Sequence, residues 1–117
     1  MVEIKIIKES ISKEELQKFA AETFGDMVKV VADVERGIMA VGAEFHAEEE
    51  AMLIEREGSK REHAWGFNIY PEKLESEWIE FDSMVNIKPA LGNRSRAISD
   101  EVVKEKIRNI VKELVKD

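Results

Sequence analysis

The chain has 117 residues, of which 44% are hydrophobic and 37% are charged. This balance is typical of a folded domain and excludes an intrinsically disordered chain, so we expect a single domain over residues 1–117. The formal net charge of -7 repels phosphate backbones, which makes nucleic acid an unfavourable partner.

The chain contains no cysteine, which excludes disulfides, zinc–thiolate centres and cysteine nucleophiles. No apolar run approaches the roughly 20 residues of a membrane helix, and the charges within residues 1–8 do not fit a signal peptide. We therefore expect a cytoplasmic protein with no membrane partner. The high content of Glu and Lys is typical of thermophile proteins, with an ordinary acidic protein as the alternative.

The first elements follow from short-range signals. Alternating apolar and polar residues over 2–8 predict a strand. Ser12 followed by Glu15 forms a capping box, and Gly25 provides a left-handed stop, so we expect a helix over residues 13–24.

Two runs rich in β-branched residues come next, at 27–34 and 38–45. The short link between them contains Gly37 and predicts a hairpin. Gly42 within the second run indicates a bulge or the close approach of another backbone.

A helix is expected over residues 47–57, where Gly58 ends it. Its first turn holds Glu48, Glu49 and Glu50. Negative charge is favourable at a helix amino end, so we interpret this cluster as a solvated helix start.

Two further strands are predicted at 65–70 and 78–88, the first ended by Pro71. Within 78–88 the residues that alternate toward the core are Ile79, Phe81, Val85 and Ile87. A last helix starts at Ser99 or Asp100 and carries apolar residues at three- and four-residue spacing. The order β-α-β-β-α-β-β-α predicts an α+β fold, a mostly antiparallel sheet of about five strands with helices packed on one face.

Short blocks occur in a fixed order along the chain. They are Gly25-Asp26-Met27-Val28-Lys29, Met39-Ala40-Val41-Gly42 with Glu44 and His46, Trp65-Gly66, Asn68-Ile69-Tyr70-Pro71, Ile79-Glu80-Phe81-Asp82-Ser83, Asn86-Ile87, Pro89 and Asn93-Arg94-Ser95. These blocks resemble a family of small uncharacterised bacterial and archaeal proteins that carry a domain of unknown function. The resemblance covers nearly the whole chain and implies no activity.

The polar residues of the strands suggest a metal site if they share one sheet face. Glu44, His46, Glu80 and Asp82 would supply carboxylates and an imidazole, ligands that suit a divalent metal as cofactor. Glu44, His46 and Asp82 would then be the candidate catalytic residues. The alternative is that an antiparallel sheet simply turns a charged face toward water.

The loop after residue 88 is a second candidate site. Successive amides near Asn93 could form an anion-binding nest, aided by Arg94 and Lys88. The alternative is a structural turn, since turn chemistry alone accounts for these residues.

No Walker loop, nucleophile elbow or zinc-protease helix is present in the sequence. Without a complete catalytic constellation, we expect a binding or interaction module, with a second copy of the chain in a homodimer as one partner. The alternatives are a metal-dependent hydrolase that uses the polar sheet face and an anion or nucleotide binder that uses the loop 92–96.

Overall fold

The structure is a computed structural model in which residues 3–117 are described. The strands are β1 (Lys5–Ile7), β2 (Ile11–Ser12), β3 (Val28–Asp33), β4 (Ile38–Val41), β5 (Ala64–Ile69), β6 (Ile79–Glu80) and β7 (Val115–Lys116). The helices are α1 (Lys13–Glu22), α2 (His46–Glu57) and α3 (Glu101–Leu114), with 3-10 turns at Arg61–His63, Met84–Asn86 and Pro89–Leu91. Among the described residues, no helix has the length and apolar character needed to cross a membrane.

Five strands form one antiparallel sheet in the order β1-β4-β3-β5-β6. Its central pair is β3–β5, whose register runs from Val28 opposite Ile69 to Asp33 opposite Ala64. The strands β2 and β7 form a separate parallel pair that joins the start of α1 to the end of α3. The predicted α+β class and the five-stranded antiparallel sheet are therefore confirmed.

The first helix and its limits follow the predicted signals. Ser12 Oγ accepts a hydrogen bond from the amide of Glu15 at 3.0 Å, which satisfies one orphan donor of the first turn. The chain leaves the helix through Gly25, whose φ is +95° and whose amide donates to Ala20 O at 2.6 Å. Ahead of it, β1 covers part of the predicted strand 2–8, and residue 2 lies outside the described residues.

The predicted hairpin is formed by β3 and β4. Asp33 holds its loop, because Oδ1 accepts hydrogen bonds from the amides of Glu35 and Arg36 at 3.0 and 3.1 Å. Just past β4, Gly42 has a φ of +102°, and a Cβ there would lie 2.7 Å from the ring of Phe19. Glycine is required at this position by both its φ and the close approach.

The sheet is covered on both faces, which corrects the expectation that all helices pack on one. The larger core lies between one face and the helices α1 and α3, and it includes Val30, Phe67 and Ile107. The residues that alternate with these face α2, where Val31 packs near Leu53. Because β3 and β5 are buried on both faces, their sequences are apolar throughout much of their length.

The predicted strand 78–88 is only partly a strand. Regular pairing stops after Glu80, and two 3-10 turns follow. Ile79 and Phe81 pack at the edge of the larger core, and Val85 packs on the α2 side. Ile87, predicted to be in the core, is 41% exposed. The segment departs from a strand because the side chain of Asn86 bonds to the backbone of Gly66.

Candidate binding groove

The four residues predicted to hold a metal do not converge. Glu44 is exposed between β4 and α2, whereas His46 is buried at the first position of α2. Asp82 pairs with Arg96 at 2.6 Å on the surface, and Glu80 lies on the edge strand β6. Residues 3–117 contain no group of three or more His, Asp or Glu side chains that could hold a metal ion.

His46 links α2 to the sheet. Its Nε2 lies 2.8 Å from Phe67 O, and because a carbonyl only accepts, Nε2 carries the proton and donates it. Burial lowers the pKa of His46 to about 4, with the charge of Lys29 acting in the same direction and the bond to Phe67 opposing it. The ring is therefore neutral at pH 7, and its contact is structural.

The other polar residues on the sheet face that packs against α2 also form hydrogen bonds within the protein. Glu80 Oε1 accepts hydrogen bonds from Asn68 Nδ2 at 2.9 Å and from the Tyr70 hydroxyl at 3.1 Å. Asp33 Oδ2 accepts a bond from the Ser59 hydroxyl at 2.6 Å. These side chains bond to one another, whereas those of a solvated sheet face would bond to water, and of the atoms of Asn68 only Oδ1 is buried without a partner among the described residues.

Asn93 organises the loop in which an anion site is predicted. The two N–H donors of its Nδ2 are shared among three carbonyls, and its Oδ1 accepts two bonds from Ser99, one from N–H and one from O–H, each at 3.0 Å. The three carbonyls are Asn86 O at 2.7 Å, Ser95 O at 3.1 Å and Ala97 O at 2.8 Å. The amide of Asn93 is thus fully used, and an anion would have the exposed Arg94 as its side-chain partner. Anion binding here stays a prediction.

The buried stripe of α2 is unusually polar. Its members are His46, Glu49, Glu50 and Leu53, at the spacing of one helix face. Glu48 alone of the three predicted solvated glutamates is exposed, so the interpretation of this cluster as a solvated helix start is corrected. Burial raises the pKa of Glu49 well above its ordinary value, although Oε2 accepts a bond from the Ala43 amide at 3.0 Å.

Glu50 faces a groove of about 540 Å³, which we call the 84–91 groove. It lies between the two 3-10 turns of residues 84–91 on one side and Glu50, Arg61 and Glu62 on the other. The turns are fixed by backbone bonds between Lys88 and Asn93, 2.7 Å from Lys88 N to Asn93 O and 3.2 Å from Asn93 N to Lys88 O.

The rim of the 84–91 groove is apolar and exposed. Met84 is 67% exposed, Ile87 41% and Leu91 51%. Scattered single apolar residues are ordinary on a protein surface, whereas apolar residues grouped around one concavity mark binding sites.

The floor of the 84–91 groove is charged and buried. Lys88 and Glu50 are each 8% exposed, with Lys88 Nζ 3.8 Å from Glu50 Oε2. Lys88 Nζ also donates to Val85 O at 2.8 Å and lies 5.2 Å from the centre of the Trp65 ring. Burial lowers the pKa of Lys88, and the charge of Glu50 opposes this effect. On the outer side, Arg61 Nε lies 3.6 Å from Glu50 Oε1.

The sequence contains one signal for the 84–91 groove, the helical spacing of four residues in α2, but the polar chemistry of these residues hides it. Positions 46, 49, 50 and 53 have perfect helical spacing, but three of them are polar, so a search for apolar stripes passes over them. The sequence predicts Lys88 only as an aid to the anion site. Nothing in the loop sequence indicates that the Lys88 side chain turns toward α2.

Comparison with known proteins identifies the sequence profile of one family. The family described as "Protein of unknown function (DUF5674)" matches residues 5–114. No curated protein and no solved structure matches the chain.

Proposed function

The chain belongs to the DUF5674 family of proteins of unknown function, and we propose that it is a binding module that takes up a small, largely apolar molecule in the 84–91 groove. The description of the family assigns no activity to its members. The proposal therefore rests on the geometry of the groove.

One observation carries the proposal: Met84, Ile87 and Leu91 surround one concavity while remaining 67%, 41% and 51% exposed. Covering a side chain that is already partly buried yields roughly 1 to 2 kcal/mol. Three such side chains then yield about 4 kcal/mol, which corresponds to a Kd of about a millimolar for a simple probe.

The size of the groove favours a small molecule over a protein. Its volume of about 540 Å³ lies within the range of roughly 300 to 1,000 Å³ that small-molecule sites occupy. Specific protein interfaces use about 20 to 30 residues on each side, whereas ten residues line this groove.

The test is an amide NMR titration of the ¹⁵N-labelled protein with 4-phenylbutanol. We expect shifts to concentrate on residues 84–91 and to spare the separate cleft of about 370 Å³ that contains Trp78 and Phe81. Leu91→Glu should weaken binding about ten-fold, because it places a charge where the apolar probe lies. Leu74→Glu is the matched control, since Leu74 is exposed but lies outside the groove. Equal shifts across the whole surface, or equal loss in both variants, would refute the proposal.

A second copy of the chain is the alternative occupant, and the same exposed apolar rim would favour it. Two copies each carrying a net charge of -7 repel one another, which weighs against this alternative. Light scattering at micromolar concentration separates the two cases. A dimer that dissociates in Leu91→Glu and persists in Leu74→Glu would assign the groove to self-association.

A further inference from the structure

We infer that the 84–91 groove selects a ligand with an uncharged head group that both donates and accepts a hydrogen bond, namely an alcohol or a primary amide. This inference rests on the proposed function. It goes beyond that function because it names the chemical class of the ligand and the two residues that recognise it, Glu50 and Lys88.

Glu50 supplies an unused acceptor. Glu50 lines the groove, and its Oε2 is buried and accepts no hydrogen bond from the described residues. A buried polar atom of this kind costs free energy unless a partner reaches it. Lys88 Nζ is 3.8 Å away, which is beyond hydrogen-bond distance.

Lys88 supplies unused donors at the same place. An ammonium group carries three N–H donors, and one of them is directed to Val85 O. An oxygen about 2.8 Å from each of the two charged atoms fits the gap between Lys88 Nζ and Glu50 Oε2. Such an oxygen would accept from Lys88 and, as a hydroxyl, donate to Glu50.

The charges around the groove favour an uncharged head group. The lining contains two carboxylates, Glu50 and Glu62, and two cations, Arg61 and Lys88. These charges balance, so neither an ammonium head nor a carboxylate head gains a net attraction. A charged head would still lose its hydration at the buried floor, and that loss is larger than for an uncharged head.

The experiment compares four probes that share one apolar body. They are 4-phenylbutanol, its methyl ether, 4-phenylbutylamine and 4-phenylbutyrate, titrated into the wild-type protein and followed by the amide shifts of residues 84–91. We expect the alcohol to bind on the order of ten-fold tighter than the ether, which accepts but cannot donate. We also expect it to bind tighter than either charged probe.

Glu50→Gln then tests whether Glu50 accepts the hydrogen bond from the head group. The preference for alcohol over ether should fall several-fold, because a neutral amide oxygen is a weaker acceptor than a carboxylate. Glu48→Gln is the matched control, since Glu48 is an exposed acid of the same helix that does not line the groove, and it should leave the preference unchanged.

The outcomes separate the two proposals. If none of the four probes binds the wild-type protein, both the proposed function and this inference are refuted. If all four bind equally, or if Glu50→Gln keeps the full preference for the alcohol, the groove remains a binding site and the head-group inference is overturned.

Discussion

The side-chain amide of Asn86 takes the place of a strand beside Gly66. The Gly66 amide donates to Asn86 Oδ1 at 2.7 Å, and Asn86 Nδ2 donates to Gly66 O at 2.8 Å. This exchange of two bonds is the pattern of an antiparallel backbone pair. It is needed because β6 pairs with β5 only at Asn68 and Ile69, which leaves Gly66 without a backbone partner on that side.

Asn86→Ala should therefore destabilise the protein by about 3 to 5 kcal/mol, since each buried peptide group left without a partner costs roughly 1 to 3 kcal/mol. The side chain also donates to Arg96 O at 3.0 Å, and that bond is lost as well. Urea unfolding followed by far-UV circular dichroism measures the change. Asn109→Ala is the control, because Asn109 is exposed on α3 and should change stability by less than about 0.5 kcal/mol. Equal effects of the two substitutions would contradict this account of Asn86.

The same contact explains which part of the fold the sequence could predict. The cap at Ser12 and the hairpin at Gly37 depend on residues within a few positions of one another, so the local pattern contains them. The end of β6 depends on Asn86 reaching Gly66, twenty residues away in the chain. Alternation over 78–88 cannot reveal such a contact, because it records only which residues are apolar.

The candidate site was harder to predict for a related reason. Leu91 and Met84, on the rim of the groove, are apolar residues of the kind usually found in a core. Glu50, on its floor, is a charged residue of the kind usually found at the surface. Residue chemistry predicts burial well only when apolar groups lie inside and polar groups outside. A binding site reverses both tendencies, as the 84–91 groove does.

Replacing His46 should remove part of the acid sensitivity of the protein. The pKa of His46 falls from 6.5 to about 4 on folding, so the unfolded chain binds more protons between these values and stability rises with pH across this window. The contribution is fully present above pH 6.5, amounts to about 3 kcal/mol and is lost as pH falls to 4. His46→Gln should flatten a plot of unfolding free energy against pH between 4 and 6.5.

The control for this titration is His63→Gln, which changes the only other histidine of the chain. Its profile should keep the slope of the wild-type protein between pH 4 and 6.5. If instead His46→Gln keeps that slope, the buried ring is not its source.

Glu49→Gln should stabilise the protein at neutral and alkaline pH. Burial raises the pKa of Glu49, so the folded state holds a proton that the unfolded state releases above about pH 4.5. Stability therefore falls with rising pH until the folded pKa is passed, by at most about 1.4 kcal/mol for each pH unit. Glutamine keeps an acceptor for the Ala43 amide and has no proton to lose.

Thermal unfolding at pH 5 and pH 8 checks this expectation. The gain in Tm of Glu49→Gln over wild type should be larger at pH 8 than at pH 5. Glu48→Gln, at the exposed neighbouring position, should show no such pH-dependent gain. A gain of equal size at both pH values would show that Glu49 is not protonated in the folded protein.

Lys88 and Glu50 should be strongly coupled although their charged atoms are 3.8 Å apart. Both are buried, so Glu50→Leu leaves Lys88 without its ion-pair partner, and Lys88→Met leaves Glu50 with only the exposed Arg61. Each single change should cost about 3 kcal/mol. Replacing both removes that penalty, and the double variant should be about 1 to 3 kcal/mol more stable than the sum of the single effects.

The surface pair of Lys5 and Glu15 provides the comparison. Its charged atoms are closer, at 2.6 Å, but the side chains are 47% and 38% exposed, and water screens such a pair to a coupling of about 0 to 1 kcal/mol. Urea unfolding of the four proteins in each double-mutant cycle measures both values. Because burial and not distance sets the strength of the interaction, the longer pair should show the larger coupling. A smaller coupling for Lys88 and Glu50 would mean that water reaches the floor of the 84–91 groove and that its charges are screened as they are on the surface.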